Sequence, residues 1–282
     1  MDLNTIWFVL VGVLLTGYAV LDGFDLGTGP LLLFTKKDHD RRILLNAIGP
    51  IWNGNEVWLV TGGGALFAAF PNVYATVFSG FYDAFMLLLF ALIFRAAAIE
   101  FRSQLPGKRW RAAWDLAFAA SSVTSALLIG ITIGNLIRGI PLDVKHEFQG
   151  NILTLLNPYA LLVGVTSVAL MTMHGNLYLI LKTEGELQEQ LIRWSKRTIP
   201  AFLICFVTLN LVTIFTCPHL KAVLQDRAFI LGGIVLFALL VTFNIPREVR
   251  KKNEGRAFIS SCLSIITMMI LFGATIYPDL VI

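Results

Sequence analysis

Charge is what this sequence has least of. Only 14% of its 282 residues are Asp, Glu, Lys or Arg, where a soluble domain carries about 25%. Cysteine is also sparse: Cys205, Cys217 and Cys262 lie far apart with no CxxC spacing, which argues against a disulfide framework or a thiolate metal site. The chain has four histidines, and only His174 falls inside an apolar run, so a bis-histidine haem site is not expected from this chain. Gly62-Gly63-Gly64 lacks the basic residue of a phosphate-binding loop and reads as a close helix contact. Low-complexity segments are missing, and Met1-Asp2-Leu3-Asn4-Thr5 has no basic stretch, so no cleavable signal is expected.

What is present is hydrocarbon. Hydrophobic residues make up 56% of the chain and the mean hydropathy is +0.74. Runs of about 20 apolar residues recur without strand-like alternation, which points to an all-α polytopic membrane protein and away from a barrel. The expected spans are 5–33, 50–70, 73–97, 113–136, 158–181, 199–216, 228–245 and 257–277. Of the 22 Lys and Arg, 18 fall on one side of these eight spans, in the stretches 36–42, 95–111, 182–197 and 247–256. The positive-inside rule makes that side cytoplasmic and puts both termini on the outer face. The net charge of +4 is thus a topology signal, and nucleic-acid binding is not expected.

A faint repeat accompanies this pattern. Val11-Gly12-Val13 followed by Asp22-Gly23 matches Val163-Gly164-Val165 followed by His174-Gly175, each pair of motifs separated by eight residues. Both spans run the same way, as two parallel four-helix units would. The expected division is 1–137, an outer loop at 138–157, and 158–282.

Acids inside the membrane carry the functional signal. Asp22 and Asp25 sit i, i+3 near the inner end of the first span, where each ionised carboxylate costs about 2.5 kcal/mol or more. The bland alternative is helix breaking before Gly27 and Pro30 in headgroup water. In Gly49-Pro50-Ile51-Trp52-Asn53-Gly54-Asn55-Glu56-Val57-Trp58, Asn53 and Glu56 are again i, i+3, a spacing suited to ordered water and proton relay. Here the alternative is a plain helix start with interfacial tryptophans. Asp83 falls in the third span and could pair within the bundle or face a partner. Arg95, Glu100 and Arg102 are expected to form a solvated or lipid-facing charge cluster. His174, aligned with Asp22 by the repeat, is a weaker relay candidate.

These residues resemble subunit II of the cytochrome bd-type quinol oxidases. The matching segments are Asp22-Gly-Phe-Asp25-Leu-Gly, Arg41-Arg42, Gly49-Pro50-x-Trp52-x-Gly54-Asn55-Glu56-Val57-Trp58-Leu59, and Gly63 to Pro71. Phe78 to Tyr82, Arg95, Phe101-Arg102-Ser103 and Trp114-Asp115 extend the match, which resumes more loosely from Leu156-Asn157-Pro158 to Tyr277-Pro278. The resemblance implies one subunit of a prokaryotic inner- or plasma-membrane terminal oxidase that couples quinol oxidation to reduction of dioxygen to water. It implies that haem b and haem d belong to the partner, subunit I, and it leaves room for a structural quinone and for small single-span subunits. Asp22, Asp25, Asn53 and Glu56 would serve proton uptake or water retention, with Trp58 at the subunit interface. Two departures stand out: the family often has Asp where this chain has Asn53, and it often has a ninth span. Two rivals remain open: a stand-alone proton-coupled transporter, and a scaffold whose acids only satisfy a partner's polar groups.

Overall fold

The computed structural model describes residues 2–143, 148–217, 220, 223, 226–278 and 280. His146 and His219 lie outside the described residues. Eleven described helices follow in chain order: α1 Leu3–Phe34, α2 Asp38–Ile48, α3 Trp52–Ala69, α4 Pro71–Gly80, α5 Tyr82–Phe101, α6 Lys108–Arg138, α7 Ile152–Leu155, α8 Pro158–Lys182, α9 Gly185–Thr216, α10 Ala228–Arg250 and α11 Glu254–Ile276. Seven of them (α1, α5, α6, α8, α9, α10 and α11) are long and apolar enough to cross a membrane. Such helices are the natural solution in lipid, because each backbone polar group is satisfied within its own segment. The eighth expected span is α3, which has 18 residues and carries Asn53, Asn55 and Glu56; it is not among those seven.

Three stretches depart from the expected outline. The single span at 73–97 is broken at Phe81 (φ −101°, ψ 19°), giving α4 and α5. At 10 residues, α4 is about 15 Å long and cannot cross hydrocarbon. The basic stretch at 36–42 runs into an amphipathic helix, α2, which buries Leu44, Leu45 and Ile48 against the bundle. The basic residues Arg193 to Arg197 belong to α9, which starts at Gly185 and continues through Pro200.

Helices α1 and α8 are the joint hubs: α1 packs against α3, α6, α8 and α11, and α8 against α1, α6, α9 and α11. The approach of α1 to α8 is set by glycine. A Cβ on Gly27 would lie 1.8 Å from the Met171 carbonyl oxygen, and one on Gly175 would lie 2.6 Å from the Gly27 carbonyl carbon. Backbones this close gain dispersion contacts that a larger side chain would forbid, the usual driving force where lipid removes the hydrophobic incentive. The α6–α8 crossing repeats the device, with Gly130 against the Cα of Gly164.

Gly27→Ala is therefore expected to destabilise the bundle by about 1–3 kcal/mol through overpacking. Gly12→Ala, on the same helix with nothing within 4 Å of its would-be Cβ, should leave stability unchanged or slightly raised through helix propensity. Thermal unfolding of the detergent-solubilised protein separates the two.

Candidate functional site

A buried charge cluster joins α1, α3 and α5. Asp22 and Asp25 are 0% and 1% exposed, and Arg95 from the middle of α5 is 0% exposed. Arg95 Nη2 donates to Asp22 Oδ1 at 2.7 Å and also to Glu56 Oε1. Asn55 Nδ2 donates to Asp25 Oδ2 at 2.9 Å. The Glu56 side chain is 23% exposed, so it is the member of the cluster that touches the surface. Tyr18, one turn along α1 and within electrostatic reach of Asp22, Arg95 and Glu56, is buried beside them.

The inventory of this cluster is unbalanced in two ways. Three carboxylates face one guanidinium, so full ionisation leaves a net charge that low dielectric strongly disfavours. Three of its buried polar atoms, Asp25 Oδ1, Arg95 Nε and Arg95 Nη1, have no protein hydrogen-bond partner, and the Tyr18 hydroxyl faces the Asp22 carboxylate. Groups of this kind are ordinarily satisfied by ordered water. A cluster of carboxylates around one fixed cation, with unpartnered polar atoms beside them, has the groups needed to bind a proton or a water molecule.

A second network lies at the α2 end of the bundle. Arg102 pairs with Asp115 and, at 2.7 Å, with Asp38. Arg41 reaches Asp115 at 3.0 Å and the Thr35 carbonyl at 2.7 Å, while Arg111 reaches Asp38 at 2.7 Å. These bonds pin α2 and the start of α6 to the end of α5. Burial pushes the Asp38 carboxyl up, but hydrogen bonds and charge from Arg102 and Arg111 outweigh it and hold the group below its ordinary value. Burial likewise lowers Arg102, and the bonds and charge of Asp115 and Asp38 more than reverse it.

The structure gathers only some of the residues singled out in the sequence. Asp22, Asp25 and Glu56 meet. Asn53 does not: it is exposed, and its neighbour Asn55 holds Asp25 instead. Asn55 and Gly62 are the buried residues of α3, two turns apart on one face, and Asn53 lies about 160° from Asn55 around the helix. The expected solvated cluster of Arg95, Glu100 and Arg102 is overturned. Arg95 and Arg102 are 0% and 2% exposed, and only Glu100 faces outward. The reason is that α1 and α3 bring carboxylates to Arg95, and α2 and α6 bring them to Arg102. Asp83 is exposed in the first turn of α5, where the helix dipole favours an acid. The Trp58 ring lies across Gly17 of α1.

His174 is fully buried and held at both ring nitrogens. Nε2 donates to the Val20 carbonyl oxygen, which can only accept, at 2.9 Å. Nδ1 lies 2.7 Å from Ser261 Oγ, and Phe258 stacks on the ring at 5.0 Å. The imidazole thus ties α1, α8 and α11 together, and neither nitrogen is left for an axial bond. Among the described residues no group of three or more His, Cys, Asp and Glu gathers as a metal site.

The missed residues were Asn55, Tyr18 and the role of Arg95. One signal could have found Arg95: it is a lone cation within the apolar run Phe85 to Ile99, and such a charge needs a buried anion.

Known proteins share this architecture. The family profile for "Cytochrome bd terminal oxidase subunit II" matches residues 3–282. The chain is 46% identical over 209 residues to cytochrome bd-I ubiquinol oxidase subunit 2 of Escherichia coli K12, a stretch covering 72% of this chain and 55% of that protein. It is 34% identical over 263 residues to cytochrome bd ubiquinol oxidase subunit 2 of Bacillus subtilis 168, covering 91% of this chain and 75% of that one. The matched region thus spans about half the length of the E. coli relative. In fold it is similar to a chain of the bd oxidase from Geobacillus thermodenitrificans, with a TM-score of 0.82 at 17% identity, covering 99% and 86% of the two chains.

Two outcomes follow from the charge networks. Arg95→Gln leaves the buried Asp22 carboxylate without its cation and is expected to cost about 3–5 kcal/mol, read as loss of folded protein in detergent. Because the Asp38 carboxyl is depressed, its contribution is present above the unfolded value of 3.8 and lost as pH falls through the lower folded one. Asp38→Asn should therefore flatten the acid limb of a melting-temperature profile, most visibly at low salt.

Proposed function

The chain belongs to the cytochrome bd terminal oxidase subunit II family, and from that premise we propose that it is the subunit II of a membrane-bound quinol:dioxygen oxidoreductase. In this proposal it supports a haem-bearing subunit I and takes up protons from the cytoplasm for dioxygen reduction. The observation that carries the second part is the cluster of Asp22, Asp25 and Glu56 around Arg95, with Asp25 Oδ1, Arg95 Nε and Arg95 Nη1 unpartnered. Relatives named as ubiquinol oxidase subunits support the first part.

The chemistry assigned to the cluster is proton holding. Arg95 Nη2 bonds both Asp22 and Glu56, so either carboxylate can take a proton while the guanidinium stays paired with the other. Glu56, the surface-touching member, receives the proton first. Asp25, oriented by Asn55 and with Oδ1 unpartnered, is the deeper acceptor. Asn53 stands outside the cluster on the exposed face of the same turn, at the mouth of the path, where water or the partner meets it.

In this reading haem b and haem d are ligated by the partner. His174 fits a structural tie because its nitrogens are already engaged. A cavity of about 1050 Å³, lined among others by Leu15, Leu66, Phe78, Leu88, Val163 and Met268, suits the long apolar chain of a structural quinone. Asp83 and the exposed face of α3 are the parts of this chain assigned to the partner subunit, with small single-span subunits able to join the periphery.

The topology proposed is eight spans, α3 and α4–α5 included, with both termini on the outer face and the basic ends in the cytoplasm. Two four-helix units are supported by how neighbours match across the repeat. The pairs α1–α3, α5–α6 and α1–α6 have counterparts in α8–α9, α10–α11 and α8–α11, and α6–α8 has its counterpart in α1–α11.

Glu56→Gln and Asp25→Asn should each lower oxygen consumption on the order of 10² in complexes with unchanged haem content, the scale on which a positioned proton-transfer group acts. Asn53→Leu, at the mouth, should have a smaller effect. Wild-type rates in assembled Glu56→Gln and Asp25→Asn complexes would leave only the scaffold role.

A further inference from the structure

A groove away from the charge cluster opens where α1, α8 and α9 meet. It holds about 300 Å³ and each helix contributes one face to it: Leu31 and Phe34, then Ala169 and Thr172, then Trp194, Arg197, Thr198 and Ala201. The spacings are i, i+3 and, on α9, i, i+3, i+4 and i+7, so the walls are regular helix surface. Phe34 and Trp194 meet edge to face, with ring centroids 6.3 Å apart, and close one end. The remainder of the lining is apolar apart from three groups.

Those three groups are chemically specific. Arg197 is exposed, and among the described residues no carboxylate pairs with it, whereas Arg193 one turn earlier reaches Glu189 at 3.8 Å. Thr172 spends its hydroxyl proton on the Val168 carbonyl at 2.7 Å. Thr198 does not: its oxygen accepts from Asn176 Nδ2 at 3.3 Å, which leaves its own proton to donate elsewhere. A free guanidinium fork and a free hydroxyl one residue apart, above an apolar trough, complement a phosphodiester with an attached acyl chain. The Trp194 ring beside them is the residue type that sits at headgroup level.

We propose that this groove binds an anionic phospholipid, its phosphate on Arg197 and Thr198 and one acyl chain along Leu31, Phe34, Ala169 and Ala201. The lining offers one cation and no carboxylate to receive a headgroup ammonium, which favours a net-anionic lipid over a zwitterionic one, and the trough favours a lipid over free phosphate. The site is independent of the proton-handling proposal, since it shares no residue with that cluster.

The test is native mass spectrometry of the whole complex, purified in mild detergent and offered phosphatidylglycerol or phosphatidylcholine of identical chains. One phosphatidylglycerol should be retained in preference to phosphatidylcholine. Arg197→Gln should weaken that retention about fivefold, the usual effect of one basic residue at a lipid surface, while Arg193→Gln leaves it unchanged. Ala201→Phe, placed on the exposed wall, should fill the trough and abolish retention. It also serves as the deciding variant if Arg197→Gln fails to assemble. Equal retention of both lipids, no effect of Arg197→Gln or Ala201→Phe, displacement by inorganic phosphate, or a protein helix cross-linked into the groove would each overturn the assignment.

Discussion

One buried arginine organises the functional half of this molecule. Arg95 is fully enclosed in α5, and a lone guanidinium there would be prohibitively costly in hydrocarbon. Its bonds to Asp22 and Glu56 make burial tolerable and at the same time fix how α1, α3 and α5 stand against each other. The same pairing creates the chemistry, because two carboxylates share one cation and a third, Asp25, is held nearby by a neutral amide. Structure and proposed function thus rest on one constraint: charge that cannot leave the bundle must be balanced inside it.

The rest of the fold serves that constraint. Glycine at the α1–α8 and α6–α8 crossings brings backbones close enough to hold α1 and α6 on α8 without a hydrophobic driving force. His174 adds a polar tie at the Val20 carbonyl, two residues from Asp22. The network of Arg102, Asp115, Asp38, Arg41 and Arg111 ties the end of α5, two turns beyond Arg95, to α2 and α6.

Much of this was legible from the sequence because membranes simplify the code. Scarce charge and long apolar runs marked an all-helical membrane protein, and Asp22, Asp25 and Glu56 stood out because acids are so costly there. What escaped was decided by tertiary pairing. Arg95 looked like a partner of Glu100 and Arg102 because they are near in sequence, yet its anions come from 73 and 39 residues away. Asn53 shares i, i+3 spacing with Glu56, but the face that α3 turns to α1 is set by Asn55 and Gly62. The break at Phe81 was hidden because an apolar run reads the same whether one helix or two cross it.

The proposed function requires the carboxylates around Arg95 to carry protons during turnover. Redox-triggered infrared difference spectroscopy of the assembled complex tests it most directly, since a protonated carboxyl has a C=O band distinct from that of carboxylate. Proton carriage by these groups gives a carboxyl band that changes with the redox state of the complex and disappears in Asp25→Asn or Glu56→Gln. A wild-type spectrum without such a band, or a band unaltered in both variants, would contradict it.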